Sequence, residues 1–98
     1  MALTEQQKKT LRGLGHTLKP VILVGSGGLS RSLLEEFERS LEHHELMKVK
    51  VSAGDRTQRD ALIAELCEHS GAELVVQRVG NVGLLFRRRR NKSKFTAL

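Results

Sequence analysis

Residues 19–30 read KPVILVGSGGLS, and they carry the clearest secondary-structure signals in the chain. A proline restricts the residue before it to extended geometry, so an extended segment begins at Pro20. The apolar run Val21–Val24 predicts a short strand that is buried on both faces. The glycine-rich segment 25–28 ends this strand, and Ser30 has the side chain and the position of a helix N-cap. The sequence therefore predicts a strand, a glycine turn and a helix in direct succession.

The spacing of apolar residues extends this pattern on both sides of the stretch. Upstream, Thr4 and Gln7 have the spacing of a capping box, and they open an amphipathic helix that ends near residues 13–16. Downstream, the helix that begins at Ser30 carries glutamates on its polar face. From Leu46 the period changes to two, which predicts a strand with apolar residues on one side and lysines on the other.

A third helix and a hairpin follow in the last part of the chain. Asp55 is the predicted N-cap of this helix, and Gly71 has the position of its C-terminal glycine. The apolar runs 74–79 and 82–87 flank Gly80-Asn81, a pair that is typical of a tight hairpin turn. Both runs are therefore predicted to be antiparallel strands.

The predicted order of elements, α-β-α-β-α-β-β, defines an α/β fold in a single domain. Two β-α-β units followed by a hairpin imply a four-stranded mixed sheet packed against helices. We assign residues 1–88 to this domain. Residues 89–98 are polar and basic, and we assign them to a flexible tail.

The composition excludes several classes of protein. With 98 residues, 39% of them apolar and 29% charged, the chain suits one compact domain. Its longest apolar stretch, residues 20–24, falls far short of the roughly 20 residues of a bilayer span, and its start lacks the apolar segment of a signal peptide. The single cysteine, Cys67, cannot form an internal disulfide. We expect a cytoplasmic protein that acts as a monomer.

Positive charge is concentrated at the two ends of the chain. Residues 1–30 hold four bases and one acid, residues 31–70 six bases and nine acids, and residues 71–98 seven bases and one acid. The formal net charge is +6 at pH 7. If the basic ends meet in the fold, their surface favours a polyanionic partner, and for a small basic protein we rank nucleic acid ahead of a merely solubilising charge.

The glycine segment is the first candidate binding site, and it consists of Gly25, Ser26, Gly27 and Gly28. A G-x-x-G loop between a strand and a helix lets a ligand approach the backbone, while the helix N-terminus attracts an anion. Some RNA-binding domains clamp the sugar-phosphate chain in this way. The same residues also suit a tight turn that binds nothing. A dinucleotide site is disfavoured, because Ser30 stands where its fingerprint has a third glycine.

Two further groups of basic residues are candidates for phosphate binding. The densest charge in the chain is a run of four arginines, Arg87, Arg88, Arg89 and Arg90. Guanidinium groups bind phosphate bidentately and stack on bases, although such a run also suits a solubilising tail. Lys48 and Lys50 place positive charge on the sheet. The sequence alone leaves open whether the two groups adjoin.

No catalytic or metal-binding constellation stands out. His43 and His44 are adjacent on a helix and therefore do not form a two-ligand face, and Cys67 is expected to be an unreactive thiol on an apolar helix face. We expect no enzymatic activity, no metal and no cofactor. The chain has no Trp or Tyr and only three Phe, so recognition is expected to rest on phosphate contacts and shape rather than on aromatic stacking.

Four segments carry a resemblance to a known family. They are residues 18–21 (LKPV), the loop 24–29 (VGSGGL), the run 41–51 (LEHHELMKVKV) and the Gly80-Asn81 hairpin that ends in Arg87. Together they resemble the CRM (chloroplast RNA splicing and ribosome maturation) domain, and most closely its stand-alone bacterial members, the YhbY-like proteins. The run 41–51 is far more specific than the glycine loop.

The resemblance implies a fold similar to the C-terminal domain of bacterial translation initiation factor three. It also implies RNA binding without catalysis, as an assembly factor on precursors of the large ribosomal subunit. The glycine loop and nearby basic surface would bind the RNA, which implies this role for Gly25, Ser26, Gly27, Gly28, Lys19, Arg31, Lys48 and Lys50. The alternative is a protein-interaction module that docks on a ribosomal protein or an assembly enzyme.

Overall fold

The computed structural model describes residues 3–52, 54–95 and 98, and it confirms the predicted order of elements. The elements are α1 (Glu5–Gly15), β1 (Pro20–Val24), α2 (Arg31–His44), β2 (Leu46–Val51), α3 (Arg56–Ser70), β3 (Glu73–Val79) and β4 (Val82–Phe86). No helix within the described ranges combines the length and the apolarity that crossing a membrane requires.

The four strands form one mixed sheet in the order β1-β2-β4-β3. β1 runs parallel to β2, and β4 is antiparallel to both of its neighbours. β1 and β3 are therefore the edge strands, while β2 and β4 lie inside the sheet. The mixed sheet predicted from the β-α-β units and the hairpin is confirmed.

The predicted helix caps are present. Thr4 and Gln7 form a capping box at the start of α1, and Asp55 forms another with Gln58 at the start of α3. Gly71 ends α3 in the left-handed conformation, with a φ of 77°. These caps satisfy backbone groups that a helix end would otherwise leave without partners.

Each face of the sheet has its own apolar core. One face packs against α2 and α3, with Phe37 and Leu66 fully buried between the layers. The other face packs against α1 through Leu11. α1 approaches this face closely at Gly15, where an added Cβ would lie 2.7 Å from a methyl carbon of Leu84. A larger residue at this position would force the buried Leu84 side chain to shift, so glycine allows α1 to pack closely on the sheet.

The prediction that β1 is buried on both faces is wrong. Ile22 and Val24 are buried in the core with α2 and α3, but Val21 and Leu23 on the opposite face are 44% and 61% exposed. The reason is the position of β1 at the sheet edge, because α1 packs over β2, β3 and β4 and leaves the corresponding face of β1 uncovered.

The basic C-terminal segment differs from the flexible tail that the sequence suggests. Glu45, which is fully buried, accepts hydrogen bonds from the backbone N–H groups of Arg89 and Lys94 at 3.0 and 2.8 Å, and from the hydroxyl of Ser93. Phe95 packs edge-to-face on Phe86. The segment is thus held against the domain as far as Phe95, while residues 96 and 97 of the predicted tail lie outside the described residues.

Candidate functional site

The glycine loop forms an open turn directly after β1. The N–H of Gly28 donates a hydrogen bond to the carbonyl of Gly25 at 3.1 Å, and Gly28 has a φ of 70° that favours glycine. Gly25 and Gly27 do not have positive φ, and a Cβ added to either would meet nothing within 4 Å. Neither conformation nor internal packing therefore requires glycine at residues 25 and 27.

The loop leads into the N-terminus of α2, which is an electropositive end. Ser30 caps the helix by accepting a hydrogen bond from the N–H of Leu33 at 3.1 Å. The first turn of α2 contains no acidic residue that would neutralise the helix dipole. The side chain of Arg31 is 93% exposed and lies 3.9 Å from the carboxylate of Glu35, a distance at which an exposed pair is weak. This helix end therefore presents N–H groups and an arginine to solvent.

The strand register places the two lysines of β2 alongside β1. Leu23 is opposite Lys50, and Pro20 is opposite Lys48. Lys50 is exposed, whereas Lys48 is half-buried and its ammonium lies 3.5 Å from the carbonyl oxygen of His16. Lys19 is exposed immediately before β1. Positive charge thus follows β1 from its start to the glycine loop at its end.

The arginine run lies at the opposite end of the sheet from the glycine loop. Phe86, the residue before the run, pairs with Leu46 at the start of β2. The loop instead follows Val24, which pairs with Val51 at the end of β2. The six residues of β2 span about 17 Å at the usual rise per residue. The structure therefore does not bring the four arginines next to the glycine loop.

The four arginines also differ in their partners. Arg87 donates to both carboxylate oxygens of Glu38, at 3.1 and 2.9 Å, and to the carbonyl of Ser70 at 2.9 Å, and it also pairs with Glu42 at 3.4 Å. Arg89 pairs with the buried carboxylate of Glu45 at 3.4 Å. Arg88 and Arg90 are exposed. Two arginines of the run are therefore engaged within the domain, and the other two face solvent.

Glu45 is a structural anchor that the residue pattern did not predict. It follows α2 with a φ of 65° and a ψ of −48°, a positive-φ conformation that residues other than glycine rarely adopt. Burial alone would raise the pKa of this carboxyl, but hydrogen bonds from Lys94, Ser93 and Arg89 and the Arg89 charge lower the pKa below its usual value. The signal available in the sequence was a helix end without glycine, where a charged residue follows His43 and His44.

The single cysteine and two of the phenylalanines have structural environments within the fold. Burial, followed by the nearby charge of Glu73, raises the pKa of the half-buried Cys67 thiol, which favours the neutral form. Phe37 is buried in one core, and Phe86 is buried against Phe95 in the other. Among the residues that the structure describes, no three His, Cys, Asp or Glu side chains are grouped so that they could hold a metal ion.

The chain matches the model of one protein family over nearly its whole length. Residues 3–87 match the CRS1 / YhbY (CRM) domain. The chain therefore belongs to this family, and the resemblance inferred from residues 18–21, 24–29 and 41–51 and from the hairpin is confirmed.

Similar proteins have been described in several bacteria. The chain is 45% identical to a probable RNA-binding protein of Pseudomonas aeruginosa, over 96% of this chain and 89% of that protein. It is 40% identical to an RNA-binding protein of Haemophilus influenzae, over 87% and 85% of the two chains. The solution structure of a candidate RNA-binding protein of Staphylococcus aureus superposes with a TM-score of 0.79 at 30% identity, over 94% and 95% of the two chains.

Proposed function

We propose that this protein binds RNA without catalysis, and that the glycine loop and the positive surface along β1 form the binding site. Backbone N–H groups of the loop and of the first turn of α2 would donate to a phosphate, while Arg31 and Lys50 supply attraction from either side. Lys48 and Lys19 continue this surface toward the start of β1. The names of the relatives support RNA as the anionic partner.

The observation that carries the proposal is the freedom of Gly25 and Gly27. An added Cβ at either position would meet open space, and neither residue has a positive φ. Glycine destabilises ordered backbone because it loses more conformational entropy on folding than other residues do. Glycine at two positions where the fold does not require it therefore favours a role in binding. A polyanion that must approach the backbone closely supplies such a role.

The RNA that we propose is precursor RNA of the large ribosomal subunit, on which the protein would act in the cytoplasm as a monomeric assembly factor. Membership of the CRM family supports this part of the proposal, because the family resemblance implies a role as an assembly factor of the large ribosomal subunit. Crosslinking in cells, followed by sequencing of the attached RNA, tests it. We expect large-subunit precursor RNA to be enriched at one locus, whereas dispersed recovery across messenger RNAs contradicts this assignment.

Replacing Ser26 and Gly27 with aspartate tests the binding site directly. The two added charges would face the proposed phosphate, and we expect RNA affinity at about 0.15 M salt to fall at least tenfold without a change in melting temperature. The matched control is Gln6→Asp/Ala64→Asp, which adds the same charge at exposed positions of α1 and α3. Equal losses in both variants would show that only net charge matters, and the loop assignment would then be wrong.

The salt dependence of binding separates the proposal from docking on a protein. If the site neutralises several phosphates, the logarithm of the binding constant falls with the logarithm of salt concentration by about 0.7 per contact on a single strand. An apolar protein interface changes little over the same range. A flat salt profile for RNA binding would contradict the proposed phosphate contacts.

A further inference from the structure

A pair of exposed aliphatic side chains lies beside the glycine loop. Val21 and Leu23 project from the uncovered face of β1, and Leu23 is two residues before Gly25. Lys48 and Lys50 lie on the same face of the sheet, because the residues that alternate with them on β2 are buried in the opposite core. We call these four residues, Val21, Leu23, Lys48 and Lys50, the β1 strip.

The β1 strip combines apolar and cationic side chains at close range. Neighbouring strands are about 4.8 Å apart, so Leu23 and its register partner Lys50 are close enough to contact one nucleotide together. A ligand that fits must present apolar surface and negative charge in alternation. Single-stranded RNA does this, since its unstacked bases have apolar faces and its phosphates follow one another along the chain. A duplex presents its phosphates but keeps its base faces within the stack.

We propose that the β1 strip holds the bases of a single-stranded RNA segment, whose phosphates contact the two lysines and the glycine loop. This inference rests on the proposed function and adds the class of RNA. Aliphatic side chains replace the aromatic platform of other single-strand binders, since Phe37 and Phe86 are buried and Phe95 packs edge-to-face on Phe86. A second copy of the chain is a poorer occupant, because each copy carries a net charge of +6.

The test compares three RNA probes with the full chain. They are an unstructured 12-nucleotide strand, the same strand with two central abasic sites, and a 12-base-pair duplex. We expect the unmodified protein to bind the intact strand about five- to tenfold more tightly than the abasic strand, since covering an aliphatic pair contributes an effect of this order. The two single strands carry the same phosphates, so this difference reports contact with bases.

Two matched variants then locate the contact. Val21→Thr/Leu23→Thr keeps strand-forming side chains but removes much of the apolar surface, and we expect it to abolish the preference for the intact strand while affinity for the abasic strand stays within twofold. Val21→Ile/Leu23→Ile keeps the apolar surface and should retain the preference. Melting temperatures of both variants check that the fold is unchanged.

The outcomes that overturn the inference differ from those that overturn the proposed function. If the protein binds RNA through the loop but the threonine variant keeps its preference for the intact strand, the strip does not hold bases, and an acidic protein segment becomes its better occupant. Tighter binding of the duplex than of the intact strand also overturns the inference. If the unmodified protein binds none of the three probes, the proposed function fails and this inference fails with it.

Discussion

The glycine loop and the arginine run, both candidate phosphate sites in the sequence, have opposite relations to the rest of the molecule. The loop makes few packing contacts with the rest of the domain, since a Cβ added at Gly25 or Gly27 would meet no atom within 4 Å. Two side chains of the arginine run form ion pairs within the domain. Arg87 pairs with Glu38 and Glu42, and Arg89 pairs with Glu45. Charge density along a sequence is therefore a poor guide to the charge that a binding partner can contact.

Reversing the charge of the two lysines beside the glycine loop should cause the largest loss of RNA affinity. We expect Lys48→Glu/Lys50→Glu to reduce RNA affinity about 100-fold at 0.15 M salt or so, because two attractive charges on the β1 strip become repulsive. The measurement is fluorescence anisotropy with a labelled single strand. Arg88→Glu/Arg90→Glu changes the net charge equally at the other end of the sheet. An equal loss in this control would remove the distinction between the two regions.

Glu45 should matter for stability rather than for binding. We expect Glu45→Gln to lower the free energy of unfolding by about 2 kcal/mol at pH 7, because a fully buried acceptor of several hydrogen bonds loses its charge. Urea denaturation measures this change. RNA affinity measured well below the melting temperature should stay within about threefold, since Glu45 lies at the far end of β2 from the loop.

At acidic pH the Glu45→Gln variant and the unmodified protein should have the same free energy of unfolding. The folded state lowers the pKa of this carboxyl from its ordinary 4.5, so its contribution is complete above that value and is lost as pH falls through the lower folded pKa. Burial, then the charges of His43 and Lys94, lowers the pKa of His44, so a separate loss of stability begins near pH 6.5 in both proteins. A stability gap that persists unchanged at pH 2 would contradict this role of Glu45.

Single replacements within the arginine run should separate paired from unpaired side chains. We expect Arg87→Ala to lower the free energy of unfolding by about 1 kcal/mol, because its hydrogen bonds to Glu38 and Ser70 join α2 to the end of α3. Arg88→Ala should change it by less than about 0.5 kcal/mol, as is usual for an exposed side chain. Chemical denaturation of both variants makes the comparison. Equal values would show that the ion pairs contribute nothing measurable.

The smallest effect expected is on RNA binding by the exposed arginines. Arg88→Ala/Arg90→Ala removes two charges that lie about one strand length from the loop, and we expect affinity to fall no more than about threefold. A loss as large as that of the lysine pair would show that the RNA extends across the sheet to the arginine run.

Local features of the fold were predictable from the sequence because they depend on neighbouring residues. The capping box of Thr4 and Gln7, the cap at Ser30 and the left-handed Gly71 are each determined within a few positions. The hairpin at Gly80-Asn81 follows the same rule, since Val79 and Val82 pair across it. The order of the elements followed from these local signals.

Features that depend on distant residues were not predictable. The exposure of Val21 and Leu23 depends on the place of β1 at the sheet edge and on the path of α1, which the apolar run itself does not encode. The pairing of Arg87 with Glu38 joins residues 49 positions apart. The sequence therefore predicted which charged residues lie near a strand or a loop. It did not predict which of them form ion pairs within the domain and which stay exposed to a binding partner.

NMR mapping of the full chain during titration with the unstructured 12-nucleotide RNA shows directly whether RNA binds at the glycine loop and along β1. We expect the largest amide shifts at residues 25–33, with further shifts at Leu23 and Lys50, and little change at Arg88 and Arg90. Shifts concentrated at the arginine run, with the glycine loop unchanged, would contradict this expectation.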